Sequence, residues 1–374
     1  MRYLSSLALA LCACAPEVAS DGGTSYPPLQ LDGKNVLGSF AVVNGTFAWS
    51  QVRGPRAGTE VYEIAEIPGS TDVWLLGAAI ERWNGTEVTA RFSIPSGESA
   101  GLRLKGALDS VAVISANDIW ACGTHLMHFD GSTWTDETAR LGSTAYLING
   151  CTVAGPSGGK VHVMGPSLAV IENGAVTAVP GTNFVDDTTG MPVLSNTGFT
   201  FSVTNVPRDC LMALPTGEAG VIGVGAVVRA MNGQLRVRRA FGPFTGLCRH
   251  ARLGDTVYMQ GTNNDVPFLK ADLPGDLGTF ASLPQSAQAS AGLQYLAAGA
   301  TADVIAPAAS GALFGMDAQD LKGFRLSAFV EVNGTTPTVL ADRFYGYHLY
   351  AAHQNATRLL VAVQGGGLFQ GVKR

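Results

Sequence analysis

Two stretches of the chain share one pattern: TDVWLLGAAIERWNGTEVT from Thr71, and NDIWACGTHLMHFDGSTWT from Asn117. Each has Asp, a β-branched residue and Trp, then two further residues and a Gly, and seven residues after that Gly comes Asn-Gly or Asp-Gly. Short apolar runs separated by residues that tolerate positive φ are typical of β-strands joined by tight turns. Each stretch therefore predicts a β-meander of at least three strands.

Weaker copies of the pattern follow along the chain. They begin at Lys160, Gly220, Thr256, Asp303 and Arg358. Aligned on the Gly, the copies place Gly77, Gly123, Gly165, Gly225, Gly261, Ala308 and Val363 at spacings of 36 to 60 residues. A four-stranded propeller blade takes about 40 to 50 residues. The repeats therefore predict an all-β fold, a β-propeller of four-stranded antiparallel blades.

The two ends of the sequence bear on the number of blades. The segment NVLGSFAVVNGTFAW from Asn35 is similar to the second half of a unit, and the last copy stops at Arg374 where its outer strand is due. An N-terminal strand that completes the last blade removes an exposed sheet edge. We therefore predict seven blades with an N-terminal strand closing the last blade. Six or eight blades are the alternatives, because the last three copies are degenerate.

The stretch DIWACGTHLMHFDGSTW from Asp118 is similar to the D-x-W-x-x-G…D-G-x-x-W repeats of secreted bacterial propeller proteins related to the BNR and Kelch classes. The resemblance is good over residues 68 to 136 and faint elsewhere. It implies a propeller fold and an extracytoplasmic setting, and it implies no reaction.

The N-terminus has the pattern of an export signal. MRYLSSLALALCACA places one cation ahead of an apolar run that is shorter than the roughly 20 residues a membrane-spanning helix needs. Leu11-Cys12-Ala13-Cys14 resembles the bacterial lipobox, with Cys14 as the lipidated residue; an ordinary cleaved signal is the alternative. We predict a signal peptide over 1–14, a flexible tether over 15–30 and the propeller over 31–374, placed at the bacterial outer membrane or secreted.

Export would place the remaining cysteines in an oxidising compartment, where disulfides persist, so we predict disulfides among them. The even set is Cys122, Cys151, Cys210 and Cys248, which allows three pairings. Neighbours in sequence are the preferred pairs, Cys122 with Cys151 and Cys210 with Cys248. A buried free thiol at Cys122 is the alternative.

Composition excludes some classes of function. Hydrophobic residues make up 46% of the chain and charged residues 14%, which indicates a globular rather than a disordered chain. The net charge is −5, and no long basic run offers a footprint for nucleic acid. No GxSxG, Walker A or complete GxGxxG motif is present.

No catalytic residues can be assigned from the sequence, and no metal site is predicted at the histidines. Asp130, Gly131, Thr133 and Trp134 resemble part of a sialidase Asp-box, but the residue between Asp and Gly is missing. His125 and His128 lie three apart, so on a strand they face opposite sides. The same holds for His348 and His353, five apart, and all four are interpreted as surface or hydrogen-bonded side chains.

Three sets of polar residues are candidates for binding. Asp72, Asp118 and Asp303 share one repeat position, which favours a role in a turn; a calcium-binding ring in the channel is the alternative. Asn263, Asn264, Asp265, Asp186 and Asp187 form oxygen-rich loop clusters and are the predicted ligand-binding residues, with calcium as the one cofactor considered. Arg229, Arg236, Arg238 and Arg239 indicate a solvated outer strand, with an anion-binding patch as the alternative.

The leading hypothesis is a cell-envelope binding scaffold whose loops meet a protein or glycan partner, with the membrane reached only through the N-terminal lipid. The alternative of a different class is a hydrolase or lyase with its site in the channel, in which calcium assists. A structural propeller in a larger assembly is the third hypothesis. Two or more convergent acids at the channel mouth favour the enzyme.

Overall fold

The computed structural model describes the chain in segments between residues 47 and 374. They are 47–54, 59–95, 108–142, 150–165, 168–178, 184–186, 211–214, 219–223, 226–231, 234–239, 250–253, 256–260, 268–272, 281–282, 301–307, 311–319, 325–333, 336–345, 349–355, 357–363 and 366–374. These residues form seven β-sheets and one short 3-10 helix. Among them, no helix has the length and apolar character needed to span a membrane.

The first three complete sheets follow one another along the chain after an initial strand, β1 (Phe47–Arg53). Sheet 1 contains β2 (Val61–Glu66), β3 (Val73–Gly77), β4 (Ile80–Trp83) and β5 (Val88–Phe92). Sheet 2 contains β6 (Leu108–Ser115), β7 (Asp118–Gly123), β8 (Leu126–Phe129) and β9 (Trp134–Asp136), followed by the 3-10 helix (Thr138–Leu141). Sheet 3 contains β10 (Thr152–Ser157), β11 (Lys160–Met164), β12 (Leu168–Glu172) and β13 (Ala175–Ala178).

The remaining sheets continue the same order. Sheet 4 contains β14 (Phe184–Asp186), β15 (Leu211–Ala213), β16 (Ala219–Gly223), β17 (Ala226–Met231) and β18 (Gln234–Arg239). Sheet 5 contains β19 (His250–Leu253), β20 (Thr256–Gln260), β21 (Phe268–Asp272) and β22 (Ala281–Ser282). Sheet 6 contains β23 (Thr301–Pro307), β24 (Gly311–Gln319), β25 (Arg325–Asn333) and β26 (Thr336–Tyr345). Sheet 7 contains β27 (Leu349–Gln354), β28 (Arg358–Val363) and β29 (Gly367–Lys373), together with β1.

The fourth strand of sheet 7 comes from the opposite end of the described chain. β1 pairs antiparallel with β29, in a register that places Phe47 opposite Lys373 and Ser50 opposite Gln370. This is the strand pairing predicted from the segment at Asn35 and the truncated last repeat. Sheet 4 departs from the predicted four strands, because β14 adds to it as a fifth strand, parallel to β18.

Contacts between sheets run through their first strands. β19 contacts β23, β23 contacts β27, β27 contacts β2, β2 contacts β6, β6 contacts β10, and β10 contacts β15. In sheet 4 we count β15 as the first strand, because β14 lies at the far edge of the sheet. All seven first strands therefore lie in one continuous row. We call the end of the sheets where first strands begin and second strands end the connection end, and the opposite end the turn end.

Alternate residues of β3 and β7, the second strands of sheets 1 and 2, bury against different neighbours. In β3, Trp74 packs toward sheet 2 while Val73 and Leu75 pack toward sheet 7. In β7, Ile119 packs toward sheet 1 and Trp120 toward sheet 3. Because side chains on a strand alternate between faces, the apolar runs of the repeat are the inner strands of sheets that are covered on both sides.

The two glycine positions of the repeat require glycine for different physical reasons. Gly77 ends β3 and accepts no side chain, because a Cβ there would collide with the backbone carbonyl of Glu60. Gly131 follows Asp130 in a turn and has a φ of 96°, a conformation that side chains disfavour. The first Gly is therefore required by the close approach of the first strand rather than by a turn conformation.

A disulfide joins Cys122 of sheet 2 to Cys151, which immediately precedes β10 of sheet 3, with Cα atoms 5.4 Å apart. This is the predicted pairing. The amide of Cys151 also donates a 2.6 Å hydrogen bond to the carbonyl of Gly123, and the amide of Val153 donates to Ser110 Oγ at 3.1 Å. The sheet 2 to sheet 3 junction is thus fixed covalently at the connection end. Cys210 and Cys248 lie outside the described residues, as does Cys14.

An arginine fixes the junction of sheets 7 and 1 at the same end. Arg53 ends β1, and its guanidinium contacts Glu81 Oε2 and donates to the carbonyls of Gly366 (3.0 Å) and Thr59 (2.9 Å). The Glu81 side chain is only 6% exposed, and its other oxygen lies 3.6 Å from the half-exposed Arg91. Arg53 therefore ties the N-terminal strand to both sheets that it joins.

Arg53→Met is expected to lower the free energy of unfolding by about 3 kcal/mol, because the substitution leaves the Glu81 carboxylate buried without its close partner. Arg91→Met is the matched control, and since its pair is half-exposed its loss should stay below about 1 kcal/mol. Urea unfolding of the three proteins at pH 7 measures both values. Equal losses of unfolding free energy in the two variants would show that the Arg53–Glu81 pair stabilises the fold no more than the Arg91–Glu81 pair does.

Candidate functional site

Most of the predicted ligand-binding residues lie away from the described part of the chain. Asp187, Asn263, Asn264 and Asp265 fall outside the described residues. Asp186 is the last residue of β14, on the outer edge of sheet 4. Calcium at these clusters stays a prediction. In the described segments, no group of three or more His, Cys, Asp or Glu has an arrangement that could hold a metal ion.

Three of the four predicted histidines lie in the described residues, each beside a polar side chain. His128 Nε2 lies 3.0 Å from Asp118 Oδ1, and its ring stacks on Trp120 with centroids 4.1 Å apart. His353 Nε2 lies 3.0 Å from Glu66 Oε1. His125 lies in the turn after β7 rather than on a strand; it is fully buried, and its Nδ1 forms a 3.1 Å hydrogen bond with Thr124 Oγ1, which is the hydrogen-bonded position predicted for it. His348 lies outside the described residues.

The repeated aspartates split into two kinds of position. Asp72 Oδ2 lies 2.8 Å from Arg82 Nε, across the β3–β4 hairpin. Asp118 Oδ1 lies 3.0 Å from His128 Nε2, across the corresponding β7–β8 hairpin of sheet 2. Both lie at the turn end, beside the start of a second strand. Asp303 instead lies in β23, the first strand of sheet 6. Its assignment to the same repeat position was wrong, because the second strand of that sheet is β24.

The turns that follow β4, β8 and β27 share one hydrogen-bond pattern. Asn84 Oδ1 accepts from the amide of Thr86 (2.9 Å), from its hydroxyl (2.8 Å) and from the amide of Glu87 (2.9 Å). Asp130 accepts the same set from Ser132 and Thr133, and Asn355 from Thr357 and Arg358. The donors lower the pKa of Asp130 to about 2. These oxygens are therefore structural, and they close turns at the turn end.

The arginines of sheet 4 lie on its third and fourth strands. Arg229 is directly opposite Arg236 in the β17–β18 register, and Arg238 is opposite Val227. Because β14 lies outside β18 in this sheet, the interpretation of these arginines as part of an outer strand was wrong. The anion-binding alternative stays a prediction.

The first strands of four consecutive sheets share an irregularity that the sequence did not reveal. The register shifts by one residue just after the first pair in β2, β6 and β27, and just after the second pair in β23. The residues skipped by the pairing are Asp303, Tyr350, Tyr62 and Asp109, in the order in which the sheets contact one another. A β-bulge re-aims the side chain of its extra residue and is frequent beside functional sites. We call these four residues the bulge row.

Two tyrosines of the bulge row are in contact. The rings of Tyr62 and Tyr350 have centroids 5.0 Å apart, with planes inclined by 30°. Burial raises the pKa of the Tyr62 phenol, and Tyr350, Glu60 and Asp109 raise it further. The hydroxyl oxygen of Tyr62 is shielded from solvent and has no hydrogen-bond partner among the described residues. The row therefore presents a neutral phenol with unused hydrogen-bonding capacity.

Two carboxyl groups lie beside the tyrosines. Glu63 follows Tyr62 in β2 and is partly buried, and its Oε1 accepts a 3.0 Å hydrogen bond from the amide of Ile64. Burial raises the pKa of Glu63 to about 7, although the Ile64 amide opposes this rise; the charge of Asp109 adds to it. Near neutral pH Glu63 therefore exists in both its protonated and its ionised form. The protonated carboxyl can donate a hydrogen bond, whereas the ionised carboxylate can only accept one.

Sequence reasoning missed this site because its residues do not share a motif. The first strands read VYEIAE, LDSVAVIS and LYAAHQ, in which a one-residue bulge leaves no mark on the alternation of apolar and polar residues. The one available signal is indirect. Gly77 and Gly123 pair with Val61 and Leu108, the residues immediately before the bulges.

Comparison with known proteins gives structural similarity only. No family model and no curated protein matches the chain. The extracellular domain of BT4673 from B. thetaiotaomicron aligns with 83% of this chain at a TM-score of 0.48 and 8% identity, and the aligned part is 38% of that protein. BamB from Moraxella catarrhalis aligns with 87% of this chain and 100% of its own, at a TM-score of 0.46 and 10% identity. Virginiamycin B lyase from Staphylococcus aureus aligns with 88% and 100%, at 0.40 and 8%. Similarity at this level assigns no function to the chain.

The raised pKa of Glu63 predicts a stability that falls with pH. Because the folded state binds the Glu63 proton more tightly than the unfolded state, whose pKa is near 4.5, the free energy of unfolding is highest below about pH 4.5. It should fall by at most about 1.4 kcal/mol per pH unit up to about pH 7 and then level off. Urea unfolding at pH 5 and pH 8 measures the fall.

Glu63→Gln should remove most of this fall, whereas Glu172→Gln, a substitution of an exposed carboxylate on β12, should leave it unchanged. A wild-type pH dependence that survives in Glu63→Gln would assign the proton to another group.

Proposed function

We propose that this protein is an exported, lipid-anchored, seven-bladed β-propeller that binds a protein or glycan partner at its connection end. The sheets are the blades, their first strands surround a central channel, and the bulge row lies at one mouth of that channel. The observation that carries the binding proposal is the recurrence of the same bulge in four consecutive first strands, with an aromatic or acidic residue at each.

Two observations support closure of the ring. The row of first strands runs without interruption from β19 through β2 to β15, so only the step from sheet 4 to sheet 5 is needed to complete a ring. Both faces of sheet 1 are already covered, by sheets 7 and 2. A ring gives every sheet two neighbours, which is the arrangement that buries apolar residues on both faces of each sheet.

Binding at the connection end is supported by the contacts that fix the strands around the site. Ser110, next to Asp109, accepts from the Val153 amide and donates to the carbonyl of Cys122 at 3.2 Å. The disulfide and the Arg53 contacts fix the same end of the neighbouring junctions. A site on rigid strands with a fixed surrounding loses little conformational entropy when it binds.

One observation favours the second candidate, a hydrolase or lyase acting in the channel. Glu63 and Asp109 are two convergent acids, and the pKa of Glu63 suits a general acid at neutral pH. The tyrosines of the row would then hold the substrate. Conversion of a captured ligand, rather than its retention, is the outcome that distinguishes this function from binding alone.

Export is supported by the disulfide, because a bond between Cys122 and Cys151 persists in oxidising compartments. We infer that the anchor is a lipid on Cys14, that residues 15–30 are the tether, and that the protein resides at the outer membrane. Glycan and protein partners, unlike nucleic acid, are compatible with this location.

The binding proposal is tested by capture from envelope proteins and polysaccharides of the native host. Immobilised wild-type protein should retain a ligand that Tyr62→Ser/Tyr350→Ser loses. The control is Asn84→Asp, which alters the turn end while keeping the oxygen that accepts three hydrogen bonds. Loss in the tyrosine variant alone supports the site. Equal capture by all three proteins places binding elsewhere, and release of a chemically altered ligand favours the enzyme.

The anchor is tested by metabolic labelling with an alkyne analogue of palmitate in the host. Wild-type protein should be labelled and remain with membranes, while Cys14→Ala should lose both the label and the membrane association. Cys12→Ala is the matched control and should keep them. Unchanged labelling of Cys14→Ala would reject Cys14 as the lipid site.

A further inference from the structure

The sequence contains six Asn-Gly dipeptides, and two of them lie wholly within the described residues, Asn84-Gly85 and Asn173-Gly174. An asparagine followed by glycine can modify itself, because glycine has no side chain that keeps its own amide nitrogen away from the asparagine side chain. The two dipeptides have the same chemistry but different surroundings. The fold therefore decides which of them can react.

The side chain of Asn84 is held in place. Its Oδ1 accepts hydrogen bonds from the amide of Thr86 (2.9 Å), from the hydroxyl of Thr86 (2.8 Å) and from the amide of Glu87 (2.9 Å). Asn84 and Gly85 are also only partly exposed. Attack on the Asn84 side chain requires its amide to turn away from three donors, so the folded state protects this residue.

Asn173 lies at the tip of the hairpin between β12 and β13 and has no such restraint. Glu172 pairs with Ala175, which leaves Asn173 and Gly174 as a two-residue turn with φ values of 50° and 73°. Both residues are exposed, and in the described part of the chain the Asn173 side chain forms no hydrogen bond. The amide of Gly174 takes no part in the pairing of the two strands. The side chain and the amide that must meet are thus both accessible.

We propose that Asn173-Gly174 is a site of spontaneous covalent modification. The amide nitrogen of Gly174 attacks Cγ of Asn173 and the Cγ–Nδ2 bond breaks, and Nδ2 takes up the amide proton and leaves as ammonia. Water then adds to one of the two carbonyls of the resulting succinimide ring and opens it. Opening at one side gives aspartate, and opening at the other gives isoaspartate, whose main chain runs through the former side-chain carbon. The net reaction consumes one water and releases one ammonia, and it needs no other reactant.

The modified turn lies where the outer part of sheet 3 contacts sheet 2. Arg140, in the 3-10 helix after sheet 2, donates a 2.6 Å hydrogen bond from Nη1 to the carbonyl of Gly174, and its Nε pairs with Glu137. Isoaspartate lengthens the backbone of the two-residue turn by one carbon, which displaces this carbonyl. Modification therefore loosens the outer contact between the two sheets, while the Cys122–Cys151 disulfide keeps them joined at the connection end.

The test compares folded protein with protein unfolded in urea, both kept at pH 8. Mass spectrometry of proteolytic peptides measures conversion at each asparagine, after chromatographic separation of the aspartate and isoaspartate forms. In urea the two residues should convert at similar rates. Folding should slow Asn84 at least about tenfold, because three hydrogen bonds must break first. It should slow Asn173 less than about threefold, because an exposed side chain keeps most of its conformational freedom.

Asn173→Gln is the control, because attack on its longer side chain would have to close a larger ring. It should lose conversion at position 173 and keep the wild-type rate at Asn84 in urea. After the same incubation, amides of β13 should exchange with solvent faster in the wild-type protein than in Asn173→Gln. Conversion of folded Asn173 that is as slow as that of folded Asn84 would overturn the proposal. Equal amide exchange in the two incubated proteins would reject the loosening of the contact made by Arg140.

Discussion

Sheets 1 and 2 bury apolar side chains on both of their faces, and they can do so only against the sheets beside them. Trp74 illustrates the constraint, because it leaves sheet 1 to pack edge-on against Phe129 and Trp134 of sheet 2, with centroids 5.1 and 5.5 Å away. Trp120, at the same place in the next repeat, turns toward sheet 3. A single four-stranded meander would expose both of its faces to water, so the stability of any one sheet depends on its neighbours. The junctions follow from this dependence. The disulfide between Cys122 and Cys151 holds sheets 2 and 3 together, and the buried ion pair of Arg53 and Glu81 holds sheets 7 and 1 together.

The fold was readable from the sequence to the extent that it depends on short-range chemistry. The Asn-Gly and Asp-Gly turns, the buried second strands and the supply of an outer strand by the N-terminal segment all follow from local residue preferences and spacing. The exceptions depend on tertiary contacts. DVIAPA at Asp303 has the apolar character of a second strand and was aligned as one, because the Gly that marks this position in other repeats is absent there. Likewise, nothing in the sequence around His125 indicates that its side chain is fully buried.

The site could not be predicted, because it depends on backbone register. Tyr62, Asp109 and Tyr350 lie in three unrelated sequence contexts and share only the fact that each is skipped by the pairing of its strand. The residues that the sequence did single out, Asp72, Asp118 and Asp130, proved to be those with repeated local contacts. Residues that repeat along this chain serve the architecture of each sheet. Residues that differ at a repeated position, here two tyrosines and two aspartates, are the ones free to specify a ligand.

The pairing of β1 with β29 has a consequence for biogenesis. Synthesis of a polypeptide begins at its N-terminus, so β1 is made first among the described strands and its partner β29 last. Sheet 7 stays incomplete until β29 has been made, and sheet 1, which packs against it, lacks cover on one face for the same period. Long-range pairing of this kind slows folding and leaves apolar surface open to aggregation. Chaperones would therefore be needed most at the N-terminal sheets, which wait longest for their final neighbour.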